Sequence, residues 1–145
     1  MQDKHLHRTQ GKPNWNTFIN TLTPFIRCGG KRFVFTSSIA VYGSLQTPFR
    51  DSDRPEPEDL YGVTKLACEK SLKIMSRVHG FEYVIARPHN VYGPNMGNEH
   101  VIPQFIAKLK QYGSRFPIQG TGQETRAFIY VDDFIEALNL IIKKG

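Results

Sequence analysis

Tyr61 and Lys65 are the residues whose types and spacing most directly indicate chemistry, in the run Tyr61-Gly-Val-Thr-Lys65. On a helix, a spacing of four residues brings two side chains onto one face, about one turn apart. A nearby ammonium stabilises a phenolate and so lowers the pKa of a tyrosine from its usual value of about 10. Such a tyrosine can accept a proton from an alcohol that is losing hydride. The spacing alone also fits an ordinary exposed helix face.

A second group of candidates is the run Thr36-Ser37-Ser38, which follows a stretch rich in β-forming residues. Ligands of open α/β sheets gather at the carboxyl ends of the strands, where Ser38 can donate a hydrogen bond. Runs of this composition are also common where a strand passes into a loop. The elements around both groups must therefore decide between the two interpretations.

Hydrophobic periodicity and turn residues predict the elements of the first half of the chain. The apolar residues from Trp15 to Ile26 recur at helical spacing, and we expect Pro24 to kink or restart that helix. The other predicted elements of this half are a strand at Arg32–Ser37, a long helix from Asp59 to His79 that Gly80 caps, and a strand at Phe81–Ala86.

In the second half, we expect a helix at Val101–Leu109, a short strand at Phe116–Gln119 and a strand at Ala127–Val131. Asp132 or Asp133 is predicted to cap a closing helix. Strands that alternate with helices in this way predict an α/β fold with a parallel sheet and right-handed crossovers.

The composition restricts the classes of function. The net charge of +6 suits an anionic ligand such as a nucleotide diphosphate, and the basic residues are scattered rather than gathered into a nucleic-acid module. We therefore expect no nucleic-acid partner. No apolar run reaches the length of a membrane span, and the polar start Met1–Lys12 lacks the apolar core of a secretory signal. The expected location is the cytoplasm, with no membrane partner and no metal site.

Four ordered motifs carry a resemblance to a known family: Phe35-Thr-Ser-Ser-Ile-Ala-Val-Tyr-Gly43, Tyr61-Gly-Val-Thr-Lys65, Arg87-Pro-His-Asn-Val-Tyr-Gly-Pro94 and Thr125-Arg-Ala-Phe-Ile-Tyr-Val-Asp-Asp133. Residues 30 to 145 closely resemble the extended short-chain dehydrogenase/reductases and, within them, the NAD-dependent nucleotide-sugar epimerase/dehydratases. The resemblance implies a partial Rossmann-like, doubly wound parallel sheet with helices on both faces. It also implies NAD as the cofactor, with NADP not distinguished, and a nucleotide-diphosphate sugar as the substrate.

The resemblance also implies roles for the residues that could do chemistry. Tyr61 would be the acid–base group, and Lys65 would assist it and hold the nicotinamide ribose. Ser38 would bind the reacting sugar hydroxyl, and these three residues form the implied catalytic set. Thr36 and Ser37 would join Tyr61 and Lys65 in binding the cofactor.

Three further positions match the family's motifs. Pro88 matches a position that lines the nicotinamide pocket, while Asn90 and Arg126 match positions that hold the diphosphate of the substrate. By residue type alone, Asn90 would be a turn former and Arg126 a surface ion-pair residue. We interpret His89 as a structural turn residue.

Two positions restrict which of the family's reactions the resemblance implies. Where the family's 4,6-dehydratases carry an Asp-Glu pair directly after the serine or threonine, this chain has Ile39 and Ala40, and neither can transfer a proton. The 3,5-epimerases of the family place a cysteine at the position of Ala40. The resemblance therefore favours a 4-epimerase that works through a transient 4-keto sugar, and a reductase or dehydratase of the same family remains the alternative.

The sequence departs from the family at its start, because it contains no GxxGxxG turn of the kind that binds the cofactor pyrophosphate. Residues 1–29 match the family poorly and carry a predicted helix, while residues 30–145 match the latter part of the Rossmann-like domain and the start of the substrate-binding region. We therefore expect a fragment with a half-built site, paired in a homodimer or with a complementing chain. A non-catalytic fragment is the alternative to an active enzyme.

Overall fold

A computed structural model of the chain describes residues 11–45 and 47–144. The described elements, in chain order, are the helix α1 (Gly11–Arg27), the strand β1 (Arg32–Thr36), a 3₁₀ helix (Ile39–Tyr42), the helix α2 (Leu60–His79), the strands β2 (Glu82–Ala86) and β3 (Asn90–Tyr92), the helix α3 (Val101–Tyr112), the strand β4 (Phe128–Tyr130) and the helix α4 (Val131–Lys144). The start Met1–Gln10, on which part of the expectation about Met1–Lys12 rests, lies outside the described residues.

The strands pair in parallel, as the alternation of strands and helices predicted. β1 pairs with β2 and β3 pairs with β4, so the described strands form two two-stranded sheets. The chain divides into two compact units, one made of the residues up to Pro88 together with those from Leu138 onward, and one of His89–Ala137. The predicted α/β fold class is confirmed.

The core of the first unit lies where α1 and α2 pack against each other and against the sheet of β1 and β2. Its fully or largely buried members come from both helices, from β1 and from the residue before β2: Phe18, Leu22, Phe33, Cys68, Leu72 and Phe81. Four pairs of phenylalanine rings meet edge to face in or beside this core. Edge-to-face contact is a preferred geometry of aromatic pairs, so the rings add directional packing to the burial of apolar area.

The helix α2 begins and ends where its capping residues predicted. The side chain of Asp59 accepts a hydrogen bond from Gly62 N at 2.6 Å, which satisfies one of the free amide groups of the first turn. Gly80 ends the helix in the left-handed conformation, with φ of 70°. Because the two capping residues determine where the helix begins and ends, they also determine the places of Tyr61 and Lys65 near its start.

Pro24 does not interrupt the helix α1. We expected a kink or a restart there; α1 runs as one helix from Gly11 to Arg27 with Pro24 inside it, so the helix does not restart, while the kink stays a prediction. The carbonyl of Pro24 accepts a hydrogen bond from Cys28 N at 2.9 Å, and Gly30 N donates to Phe25 O. Bonds to these carbonyls and the apolar face packed into the core offset the one hydrogen bond that proline cannot donate.

One expectation about a strand in the second unit was wrong, and one strand there was not expected. The segment 116–119 forms no strand, because Pro117 cannot donate to a ladder and its carbonyl instead accepts a hydrogen bond from Lys108 Nζ at 2.9 Å. Asn90, which residue type alone assigned to a turn, lies in β3 opposite Phe128. The pairing partner of β3 lies far along the chain, so no local signal revealed this strand.

The helix α4 begins at Val131, directly after β4, and therefore before the residues predicted to cap it. Asp132 and Asp133 lie in its first turn, where their charges favourably meet the positive end of the helix dipole. Like the other described helices, α4 does not combine the length and the apolar composition that crossing a lipid bilayer requires.

The core arrangement predicts a large difference between two apolar residues of α2. Leu72 is 0% exposed and Ile74 is 52% exposed. We expect Leu72→Ala to lower the free energy of unfolding by about 2–5 kcal/mol, because it leaves a cavity in the core. Ile74→Ala, the control, should change it by less than about 0.5 kcal/mol. Urea denaturation of both variants measures this, and equal losses would contradict the described core.

Candidate active site

The position of Ser38 is fixed by backbone hydrogen bonds on both sides of it. Ser37 N donates to Ala86 O at 2.7 Å and Ile39 N donates to Pro88 O at 3.0 Å, so the chain continues beside the end of β2 after β1 has ended. Ser38 then caps the 3₁₀ helix, since its Oγ accepts a hydrogen bond from Ala40 N at 3.2 Å. The predicted serine therefore lies at the carboxyl end of β1, on backbone that is held in one place.

Gly62 lets the start of α2 come close to this 3₁₀ helix. A Cβ atom at Gly62 would lie 2.5 Å from Ala40 O and 2.9 Å from the Cβ of Pro57, closer than side chains approach such atoms. Tyr61 precedes Gly62, and Ala40 is two residues after Ser38. The absence of a side chain at position 62 therefore brings the elements that carry Ser38 and Tyr61 into direct contact.

Lys65 joins α2 to the end of β1. Its Nζ donates to the carbonyl oxygen of Thr36 at 2.8 Å and lies 5.7 Å from the centre of the Tyr61 ring and 5.1 Å from that of the Phe35 ring. Burial lowers the pKa of Lys65 from its usual value, because desolvation disfavours the ammonium, while Cys68 acts in the opposite direction. The predicted proximity of Lys65 and Tyr61 is thus present in the structure.

The other two residues assigned to the cofactor lie in the same part of the first unit. Ser37 is 2% exposed, and within the described residues its Oγ has no hydrogen-bond partner. Pro88 follows the end of β2 and holds Ile39 through its carbonyl group. A buried hydroxyl with no partner normally costs stability, so Ser37 is a polar group suited to a bound molecule. The roles of these residues stay predictions.

The residues assigned to the diphosphate, Asn90 and Arg126, both belong to the second unit. Asn90 Nδ2 donates to the carbonyl oxygen of Ala127 at 3.0 Å, which ties the start of β3 to the residue that follows Arg126. Arg126 itself is exposed. Just before it, Glu124 accepts hydrogen bonds from Thr121 and Gly122, and these bonds lower the pKa of Glu124 to about 2.

The structure reveals a group that the sequence analysis missed. The guanidinium of Arg87 donates to both carboxylate oxygens of Glu69 and, through Nη1, to the hydroxyl of Tyr42. Hydrogen bonding to Glu69 raises the pKa of Arg87. Removing one partner of a buried ion pair costs about 3–5 kcal/mol, and the partial exposure of Arg87 reduces that value here.

A signal for this group was present in the sequence. Glu69 lies between Cys68 and Leu72, in the apolar part of the predicted helix, and a carboxylate there needs a cation. Lys65 and Lys73 lie four residues before and after Glu69 on the same predicted helix, so the sequence did not single out Arg87 as the partner. The hydroxyl of Tyr42 could not be foreseen, because its place depends on the packing of the 3₁₀ helix.

The comparison with family models gives one match over nearly the whole chain. The model described as the NAD dependent epimerase/dehydratase family matches residues 9–145. Among curated proteins, the dTDP-D-glucose 4,6-dehydratase of Bos taurus is 39% identical over 116 residues, which cover 79% of this chain and 32% of that protein. The chain thus spans about a third of the length of the curated relatives it matches.

Solved structures of the same kind superpose on this chain. The UDP-N-acetylglucosamine 4-epimerase from Methanobrevibacter ruminantium M1, in complex with UDP-N-acetylmuramic acid, matches with a TM-score of 0.81 and 32% identity over 90% of this chain and 43% of its own. The dTDP-glucose 4,6-dehydratase DesIV from Streptomyces venezuelae, with NAD bound, matches with a TM-score of 0.85 and 26% identity over 96% and 43%. Both kinds of enzyme therefore share this fold.

The close approach at Gly62 predicts that a single methyl group disturbs the site. Alanine favours a helix over glycine by about 1 kcal/mol, but the contact with Ala40 O forces the backbone apart at a cost of about 1–3 kcal/mol. We therefore expect Gly62→Ala to lower the free energy of unfolding in urea. Val63→Ala, at the exposed neighbouring position, is the matched control and should have little effect. A Gly62→Ala variant more stable than the original chain would argue against this contact.

Proposed function

Since the chain belongs to the NAD dependent epimerase/dehydratase family, we propose that it carries the proton-transfer groups for the 4-epimerisation of a nucleotide-diphosphate sugar. The observation that carries the proposal is the position of Lys65, whose ammonium bonds to Thr36 O and lies near the ring of Tyr61 at the carboxyl end of β1. Ser38 lies on the neighbouring 3₁₀ helix. These three residue types suffice to move a proton to and from an alcohol.

NAD is the cofactor we propose, and the residues at the end of β1 fit it. The buried hydroxyl of Ser37 can bond to a bound polar group, and the Lys65 ammonium has donors left beyond the one directed at Thr36 O. The pyrophosphate-binding glycine turn of this family is not among the residues of this sequence. When bound, NAD supplies the hydride acceptor and donor that oxidation and reduction at the sugar carbon require.

In the proposed reaction, the chain's own residues bind and deprotonate the sugar 4-hydroxyl. Ser38 contacts that hydroxyl and orients it, and the Tyr61 phenolate takes its proton as the carbon loses hydride. Lys65, whose Nζ lies 5.7 Å from the centre of the Tyr61 ring, assists Tyr61 and holds the cofactor ribose beside it. Tyr61 returns the proton when the 4-keto sugar is reduced from its other face, which inverts the configuration.

Asn90 and Arg126 are the proposed ligands of the substrate diphosphate. An exposed guanidinium offers paired donors to phosphate oxygens, and a fork of this kind binds phosphate more strongly than a single neutral donor. The amide of Asn90 bonds to Ala127 O, and this bond holds the segment that presents Arg126. In this proposal, Asn90 contributes more through that bond than through a direct contact.

A second candidate is the 4,6-dehydration of a nucleotide sugar, which the 39% identity with the bovine 4,6-dehydratase favours. Dehydration needs an additional acid and base to remove a hydroxyl and a carbon-bound proton from the sugar. Ile39 and Ala40, the two residues that follow Ser38, carry no ionisable group. Their chemistry supports the 4-epimerase proposal over dehydration. A reductase that stops after one hydride transfer would use the same three residues, so these two positions do not separate it from a 4-epimerase.

We expect sugar-nucleotide binding to depend on Arg126. Calorimetry of the purified chain with UDP-glucose should show binding that Arg126→Ala weakens by about tenfold or more, because the substitution removes a charge-assisted contact to phosphate. Arg115→Ala removes an exposed arginine of the same unit and is the matched control. Equal affinities of the two variants would exclude Arg126 as a diphosphate ligand.

The reaction itself is tested by its products. With NAD and UDP-glucose, we expect proton NMR to detect UDP-galactose and no 4-keto-6-deoxy sugar. Tyr61→Phe should lower the rate at least about a hundredfold, because the acid–base group is lost. Tyr112→Phe, at an exposed tyrosine of α3, should not. Formation of a 4-keto-6-deoxy sugar would instead establish the dehydratase alternative, and a folded chain without turnover would favour a non-catalytic fragment.

A further inference from the structure

Arg87 contacts two separate elements of the first unit at once. Its Nε donates to Glu69 Oε1 at 2.9 Å and its Nη2 to Glu69 Oε2, so the pair is bidentate. Its Nη1 donates to the Tyr42 hydroxyl, and its guanidinium carbon lies 4.8 Å from the centre of the Tyr42 ring. Three donors of one planar group are therefore directed at two partners on different elements.

These partners are largely withdrawn from water. The Glu69 side chain is 5% exposed, Tyr42 is 3% exposed and the Arg87 side chain is 22% exposed. The Tyr42 ring stacks on Phe49 at 5.1 Å between ring centres, which holds the hydroxyl toward Arg87. A planar guanidinium with bidentate and stacked contacts fixes the orientation of its partners, whereas a lysine would offer only a point charge.

The two partners belong to the two elements that carry the proposed reacting groups. Glu69 lies four residues after Lys65 and eight after Tyr61, so all three lie along one side of α2. Tyr42 is the last residue of the 3₁₀ helix that Ser38 caps. The end of β2 supplies Arg87, so this residue links the Ser38 element to the Tyr61–Lys65 helix.

We propose that Arg87 is a positioning residue, which holds the 3₁₀ helix of Ser38 at a fixed place against the helix of Tyr61 and Lys65. The assignment of a reaction to these groups rests on the proposed function. Arg87 acts through Glu69 and Tyr42, which accept its hydrogen bonds. None of these bonds goes to Ser38, Tyr61 or Lys65. A purely structural ion pair would stabilise the fold without controlling the place of Ser38.

The Tyr42→Phe variant separates these two roles, because it removes one hydroxyl and leaves the ring, the stacking on Phe49 and the Glu69–Arg87 pair in place. Tyr83→Phe, at a partly buried tyrosine of β2, is the matched control. Glu69→Gln is the second variant, since it keeps the shape of the side chain and removes the charge that holds Arg87.

The first measurement is amide hydrogen exchange at Ile39 and Ala40, the two residues that follow Ser38. The amide of Ile39 donates to Pro88 O and that of Ala40 donates to Ser38 Oγ. In Tyr42→Phe we expect both amides to exchange at least about tenfold faster, while the amides of Val34 and Phe35 in β1 stay within about twofold. Glu69→Gln also destabilises the whole fold, so in that variant we expect the acceleration at Ile39 and Ala40 to exceed that at Val34 and Phe35 by at least about tenfold. Unchanged exchange at Ile39 and Ala40 would overturn the proposal, and so would equal acceleration in Tyr83→Phe or throughout β1. This readout does not depend on turnover.

The second measurement is the kinetics of the sugar interconversion. Misplacement of a group far from the reacting atoms can lower a rate by about a hundredfold, so we expect Tyr42→Phe to lower kcat by about tenfold or more with KM within about twofold. A faster exchange with unchanged kcat would overturn the positioning role. If the unaltered chain does not turn over UDP-glucose, the proposed function fails, and the exchange rates alone decide whether Arg87 fixes the place of Ser38.

Discussion

A carboxylate and a guanidinium that are both largely withdrawn from water cannot separate without leaving an unpaired charge in the interior. In the first unit this constraint acts between Glu69 of α2 and Arg87 at the end of β2. The ion pair therefore restricts the rotation of α2, which bears Tyr61 and Lys65, about its own axis, and it restricts the distance of α2 from the sheet. Apolar packing alone would tolerate small rotations, because contacts between aliphatic side chains are not directional.

The remaining contacts of the candidate site build on that placement. Gly62 allows α2 to meet the 3₁₀ helix at Ala40, and Lys65 reaches the last residue of β1. Ser38 lies between two amide groups that bond to the backbone at and after the end of β2. Each of these contacts involves backbone atoms at or beside a residue of the proposed site, so the geometry of the site depends more on the fold than on flexible side chains.

Sequence alone predicted those features that depend on local signals. The ends of α2 follow from Asp59 and Gly80, and β1 and β2 follow from short runs of β-forming residues. The strand β3 could not be predicted, because its pairing depends on a partner distant in the chain. The absence of a strand at 116–119 could have been predicted, because Pro117 is a local signal against a strand. In the site, the spacing of Tyr61 and Lys65 indicated their proximity, whereas the partners of Arg87 required the packed structure.

The anchor of Lys65 is a peptide carbonyl, not a side chain. Every residue type at position 36 carries the same carbonyl group, so a substitution of Thr36 does not remove the acceptor that the Lys65 ammonium uses. The contact therefore depends on the length of β1 and on the rotation of α2 about its axis. It does not depend on the residue type at position 36. A comparison of residue types in related chains therefore cannot register this carbonyl group, although it is one of the atoms nearest the proposed chemistry.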